Sequence, residues 1–458
     1  MRAVLVGLVS LVAMTMLSPS ASAVSVRFQT LAGVTSPGTP PQYNRVGILQ
    51  TGPRRARNIL VLNPGTSASA AYFEPLAKTV VSMVPGWQVW AIERRENLLE
   101  DQSMADAAKT GQASPQQVFD YYLGWVVNGS IQPHFQLIPD SDVGYARDWG
   151  LNTEIGDLRK VVLAAERGGR TVVVGGHSLG GSITTAYATW SFNGKAGADG
   201  LAGLLYIDGG SRPVPVTADQ ATQSLQSLQS SSPWLTVGGL PAPYAGLFQA
   251  TGGLGVLLDP NSPSVGQAFS LLPANLKPPY PVTNAGQYGY ALNVATSPSN
   301  LALAQAHLGQ QDFSTTPAGW DDDGGLTPLA RYAAAFAGQG ILGHDGIAWY
   351  HPQRLSIDAG AVANGIANPA QSVLNVRATM GRKLPKDLKI YAFAASLGGP
   401  LVLTDAKLLA HQSGIPRRNL VLINRSATYA HNDPALGAPA KDTFVKQLVP
   451  YLRSVAGS

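Results

Sequence analysis

The chain has 458 residues, of which 45% are hydrophobic and 13% charged, with a net charge of +5 and no cysteine. That length supports a large core with a sizeable insertion, and the missing cysteines exclude disulfides, thiolate metal sites, a cysteine nucleophile and a lipid-modified cysteine. Lysines and arginines are scattered, and the densest cluster, Pro53-Arg-Arg-Ala-Arg57, reads as a solvated loop rather than a nucleic-acid patch.

In chain order, a basic start at Met1-Arg2, an apolar run over 3–17 and a small-residue end at Ala21-Ser22-Ala23 read as a secretory signal peptide over residues 1–23. The run is shorter than the ~20 residues a bilayer span requires, and no later stretch is long and apolar enough to span one. The expectation is a secreted protein, extracellular or periplasmic. Short strands follow at 26–32, 44–49 and 57–62, bounded by Pro, Gly and Ser clusters. Helical spacing covers 68–84, and 87–92 reads as a buried strand. Residues 152–167 look helical, with Asn152 as cap and Ile155, Leu158, Val161, Val162 and Ala165 on one face. A strand at 171–175, a helix from Leu179 and a strand at 202–207 complete an alternation that implies a mostly parallel α/β sheet covered on both faces.

The texture changes after Gly209. Residues 211–385 are rich in Pro, Gly, Ser and Gln but hold many aromatics, among them Trp234, Phe248, Tyr288 and Trp349, which argue against disorder. Alternation resumes with a strand at 388–395, a helix at 404–413, a strand at 419–423 and a last helix at 441–455. The domain reading is therefore an α/β core at 24–210 and 386–458, interrupted by an insertion at 211–385.

The stretch GGHSLGGS, residues 175–182, lies between the 171–175 strand and the helix from Leu179. Strand, glycine-rich turn with a central serine, then helix is the setting of a nucleophile elbow, which strains Ser178 and lifts its hydroxyl above the sheet edge. Gly176 and Gly180 leave room for strand and helix to cross. The helix dipole points at the serine, and the Leu179 N–H can help hold an oxyanion. A serine needs a base. His177 adjoins Ser178 and points elsewhere, His134 precedes the elbow, His307, His344 and His351 lie in the insertion, and His411 sits in a helical pattern. His431 stands in a loop between the last strand and the last helix, from which an imidazole can reach the serine, and is the chosen base.

With these residues the sequence resembles the α/β-hydrolase family, and GHSLGG looks most like its lipases and esterases. The resemblance covers 26–210 and 386–455, and the insertion falls where many members carry a lid. It implies the chain order nucleophile, acid, histidine. It also implies a second oxyanion donor in the loop after the third strand, Leu62-Asn-Pro-Gly-Thr-Ser-Ala68, where the matching amide is that of Thr66, with Ser67 as the near alternative. Most members carry the acid after the strand preceding the histidine strand, but here 396–404 has no carboxylate. Asp405 follows, yet Thr404-Asp405 reads as a helix cap and first turn. A minority of members carry the acid one strand earlier, and Asp208 ends the strand Leu204-Leu-Tyr-Ile-Asp-Gly-Gly210 at the edge where parallel-sheet sites gather. Asp208 is preferred to Asp405.

Glu93-Arg-Arg-Glu96 reads as a surface ion-pair cluster, with pocket lining as the alternative, and Asp321-Asp-Asp-Gly324 as a solvated turn rather than a calcium loop. No nucleotide loop, metal signature or cofactor site is recognisable. The expected function is hydrolysis of carboxylic esters, small or lipid-like and hydrophobic, through a Ser178–His431–Asp208 triad and an acyl-enzyme. Rival readings are a peptidase, amidase or acyltransferase of the same fold, and a non-catalytic binding protein on this scaffold. An elbow serine disfavours dehalogenases and epoxide hydrolases, which use an aspartate there.

Overall fold

The computed structural model describes residues 24–456, so the leader assigned to residues 1–23 lies outside the described residues. Eight strands make one sheet: β1 (Val26–Ala32), β2 (Arg45–Thr51), β3 (Asn58–Asn63), β4 (Trp87–Glu93), β5 (Thr171–His177), β6 (Gly203–Ile207), β7 (Lys389–Ala394) and β8 (Leu420–Asn424). Their order is β1-β2-β4-β3-β5-β6-β7-β8. Only β2 runs antiparallel to its neighbours; every pair from β4 to β8 is parallel.

Strand side chains alternate between faces, and here both faces are covered. Along β5, Val173 enters one core while Val172 and Val174 enter the other; along β6, Leu205 and Ile207 oppose Leu204 and Tyr206. The first face is covered by α1 (Glu74–Met83) through Leu76 and Val80. The second is covered by α2 (Leu151–Glu166), α3 (Leu179–Ala188) and α4 (Leu401–Ser413), through Leu158, Val162, Ile183 and Leu409. The last helix, α5 (Thr443–Ala456), returns to the first face with Phe444 and Leu448. Among the described residues no helix is long and apolar enough to cross a membrane.

Three local expectations need correction. The insertion at 211–385 is not a single lid. Residues from Trp234 to Tyr350 extend the first core above the carboxyl edge of the sheet, whereas Leu355, Val362, Leu374, Ala378 and Leu384 belong to the second core, beside α3. The reason is topological: β6 ends at the carboxyl edge and parallel β7 starts at the opposite edge, so the chain must descend one face between them. Met380 N–H to Thr189 O (2.8 Å) and Ser191 N–H to Arg377 O (2.9 Å) tie that descent to the end of α3. Second, Asn152 does not cap α2; its Nδ2 donates to Asn375 O, and the Leu151 N–H is taken by Asp358 Oδ2 at 2.9 Å. The cap is a carboxylate from the descending segment, which local sequence does not reveal. Third, α4 begins at Leu401 behind Pro400, whose φ of −59° already suits a helix start. Asp405 is therefore in the second turn, buried, and caps nothing.

Candidate active site

β5 delivers Ser178 to the carboxyl edge with φ 56° and ψ −125°, a region that a non-glycine residue enters only under constraint. The constraint is visible. The Ser178 N–H donates to Ile207 O of β6 at 3.0 Å, and strand and helix cross closely behind the turn. A Cβ on Gly176 would meet the Gly180 carbonyl at 2.2 Å, and one on Gly180 would meet Asn63 O at 2.0 Å, so glycine is required at both.

Asp208, at the end of β6, also has positive φ (42°). Its Oδ2 lies 2.6 Å from His431 Nδ1. Oδ1 accepts the Ala395 and Gly398 amides at 2.7 and 3.1 Å, and Oδ2 the Leu397 amide at 3.2 Å. Burial pushes the Asp208 carboxyl up, but the bond and charge of His431 and the two Oδ1 amides outweigh it and hold the group below the usual carboxylate value. An ionised Asp208 only accepts, so His431 carries a proton on Nδ1, and Nε2 is the ring nitrogen left free of Asp208. Ser178 and His431 line the same cavity without a direct hydrogen bond between them. Asp405 does not reach His431. Its Oδ1 has no partner, and burial pushes its carboxyl up to about 7.

The loop after β3 brings Gly65 against the elbow: a Cβ there would lie 2.9 Å from Ser178 Cβ. The next residue, Thr66, lines the cavity, and its N–H has no protein acceptor. The alternative, Ser67, donates its N–H to His351 Nδ1 at 3.3 Å. Burial holds His351 well below the usual histidine value and so keeps that acceptor unprotonated. The Leu179 N–H stands in the first turn of α3, where amides lack intrahelical acceptors.

Other residues have roles that the sequence reading missed. His177 packs on the His431 ring with centroids 4.3 Å apart, and its Nε2–H donates to His431 O at 2.9 Å. Burial, then the neighbouring His431, pushes His177 down to about 3, so it stays neutral. Tyr72 stacks on His177 and donates to Asn432 Oδ1 at 2.9 Å. Asp433 accepts from the Ala430 and His307 amides, from Thr327 Oγ1 and from His307 Nδ1, tying the His431 loop to the insertion. The Asn432-Asp433 pair beside His431 was the available signal. His134 stacks on Trp125, and His344 Nδ1 pairs with Glu93 Oε1 at 3.0 Å. Glu93, Arg94, Arg95 and Glu96 are all buried, which corrects their reading as a surface cluster: they sit at the carboxyl end of β4 under the loops of the site. At 321–324, Asp321 Oδ1 accepts the Asp323 amide and Asp322 Oδ1 the Leu329 amide, the bonding of a turn.

The cavity encloses about 180 Å³ between Ser178 and the insertion. Leu235, Val237, Phe248, Leu272, Leu292 and Phe336 give its wall its character, and among the described residues no Lys, Arg, Asp or Glu lines it.

The strand order, the single antiparallel β2, the serine elbow after β5 and a histidine after β8 coincide in one molecule. This is the α/β-hydrolase fold. No protein-family model matches the sequence, and no curated protein is similar to it. Among solved structures, the chain is similar to a provisionally assigned lipase from Sulfolobus solfataricus (14% identity, 94% of each chain, TM-score 0.47). It is also similar to a soluble variant of monoglyceride lipase from Saccharomyces cerevisiae (11% identity, 95% of this chain and 98% of that one, TM-score 0.42). A third is a thermostable carboxyl esterase from Bacillus coagulans (12% identity, 94% and 100%, TM-score 0.40).

Proposed function

We propose that the protein is a serine hydrolase of carboxylic esters with apolar acyl or alcohol groups. The observation that carries this reading is the 2.6 Å hydrogen bond by which Asp208 holds His431, a residue on the wall of the cavity that also holds the strained Ser178. Ser178 Oγ attacks the ester carbonyl and passes its proton to His431 Nε2, while Asp208 holds the imidazole in the needed tautomer and stabilises the imidazolium. The charge that develops on the carbonyl oxygen is met by the Thr66 and Leu179 amides, whose hydrogens are not spent elsewhere. Collapse breaks the ester C–O bond, and the leaving alcohol takes the proton from His431. Water, deprotonated by His431, then attacks the acyl-enzyme and frees the carboxylic acid and Ser178. The uncharged lining favours neutral, apolar substrates, since an ionised group would be desolvated there without a partner. The leader-like residues 1–23 support export to an extracellular or periplasmic space.

The test is labelling by a fluorophosphonate together with turnover of p-nitrophenyl esters and matched peptides. Labelling at Ser178, loss of labelling in Ser178→Ala and an activity loss on the order of 10³–10⁶ are expected. Near wild-type ester turnover by Ser178→Ala refutes the assignment, and amide turnover without ester turnover moves it to a peptidase.

A further inference from the structure

Arg94 follows β4, the strand beside β3, and is almost wholly buried at 2% exposure. Its Nε donates to Glu96 at 2.8 Å. Three more of its N–H groups go to main-chain carbonyls of one loop: Nη1 donates to Pro64 O at 3.0 Å, and Nη2 to Gly65 O and Ala68 O at 2.9 Å each. Burying a cation is costly, and here Glu96 and the three carbonyls offset that cost while their bonds to Arg94 fix how the loop is oriented.

The same loop is held from its amide side. Ser67 N–H goes to His351, Ala68 N–H to Gly65 O, Ser69 N–H to Gly346 O and Ala70 N–H to Glu93 Oε2 at 2.7 Å. Of the amides of residues 66–70, that of Thr66 alone has no acceptor. The peptide between Gly65 and Thr66 is trans, so its C=O and N–H point in opposite directions. Arg94 grips the C=O end. The N–H end is thereby turned away from Arg94, and Gly65 itself abuts Ser178. A charged donor on the carbonyl also polarises the amide and strengthens its N–H as a donor.

We infer that Arg94 is the positioning residue of the oxyanion site: by fixing and polarising the Gly65–Thr66 peptide it aims the Thr66 N–H at the oxygen that becomes negative. This rests on the ester-hydrolase reading above. Because the effect appears only as charge develops, it acts on kcat and leaves substrate binding nearly untouched.

The experiment compares wild type, Arg94→Met and Arg94→Lys by kcat and KM for p-nitrophenyl butyrate, by Ki for an alkyl trifluoromethyl ketone, and by melting temperature. The ketone adds the serine and places an oxyanion where the ester would. For Arg94→Met, kcat falls by about 10²–10³, the loss seen when one oxyanion donor is removed. KM stays within about two-fold, and ketone affinity falls in parallel with kcat/KM. Arg94→Lys keeps the charge but reaches one carbonyl instead of three, so its loss is about ten-fold. Should Arg94→Met fail to fold, Arg94→Lys decides alone. Variants that melt below wild type while keeping its kcat and ketone affinity overturn the inference and leave Arg94 structural. Fluorophosphonate labelling of the wild type separates the two readings: a labelled wild type with unaffected variants defeats the Arg94 inference only, whereas an unlabelled, inactive wild type defeats both.

Discussion

Replacing Asp208 by asparagine keeps the shape of the side chain and removes its charge, and the surrounding bonds dictate the outcome. All four partners of the carboxylate are donors: the amides of Ala395, Leu397 and Gly398, and His431 Nδ1–H. An asparagine has one accepting oxygen. With that oxygen on the Ala395 and Gly398 side, its NH₂ faces the Leu397 amide and the imidazole N–H; flipped, it faces the other two amides. The first orientation is the lesser conflict, and the imidazole relieves it by moving its proton to Nε2, which leaves Ser178 without a base. In a comparable triad that change costs about 10⁴ in turnover, equal to about 5.5 kcal/mol of barrier. A buried donor left facing a donor costs about 1–3 kcal/mol of stability, so a fall of a few degrees in melting temperature accompanies it. The matched control is Asp405→Asn. With its carboxyl pushed up to about 7 by burial, Asp405 is about half protonated at the assay pH and lies away from His431, so an amide replaces it with turnover within about two-fold of wild type. Turnover of p-nitrophenyl butyrate near pH 7, with melting curves on the same samples, decides between them. An active Asp208→Asn beside an inactive Asp405→Asn would refute this reasoning and move the acid to the other strand.

Two further outcomes are expected. Along a series of p-nitrophenyl esters, each methylene buried in the apolar cavity contributes up to about 0.8 kcal/mol, a four-fold gain in kcat/KM, so a flat or falling series from acetyl to octanoyl would rule out an acyl-binding role for that cavity. Glu154, buried on α2 beside Arg94 and Glu96, is pushed up to about 8 by burial. Its folded-state value exceeds the unfolded one, so its contribution to stability is complete below about pH 4.5 and is lost as pH rises through about 8. Glu154→Gln keeps the neutral shape at every pH. Its stability relative to wild type therefore climbs with pH, by at most about 1.4 kcal/mol per unit, and levels off above about pH 8. A melting-temperature difference that stays constant from about pH 5 to pH 9 would contradict this.

Much of this arrangement is written locally. Short apolar runs bounded by turn residues set every strand of the sheet to within a residue or two, because a strand buried on both faces reads as a near-continuous apolar run. The elbow is equally local: the glycines at 176 and 180 and the strand and helix around Ser178 are neighbours in sequence. The place of Asp208 at the carboxyl edge was legible for a related reason, since it ends an apolar strand where such sites gather. The fold alone decided the rest. Whether Ser67 or Thr66 offers a free amide depends on His351, nearly three hundred residues away, and the start of α2 is capped by Asp358. Glu93-Arg-Arg-Glu96 looks like a solvated surface because charge is costly to bury, and no local pattern tells that Pro64, Gly65 and Ala68 will present carbonyls to Arg94. The insertion divides between two cores because the sheet has two faces and the path from β6 to β7 must cover one of them. Hydrophobic period and turn chemistry act over a few residues, whereas the partners of a buried polar group are set by which loops the sheet brings to one edge.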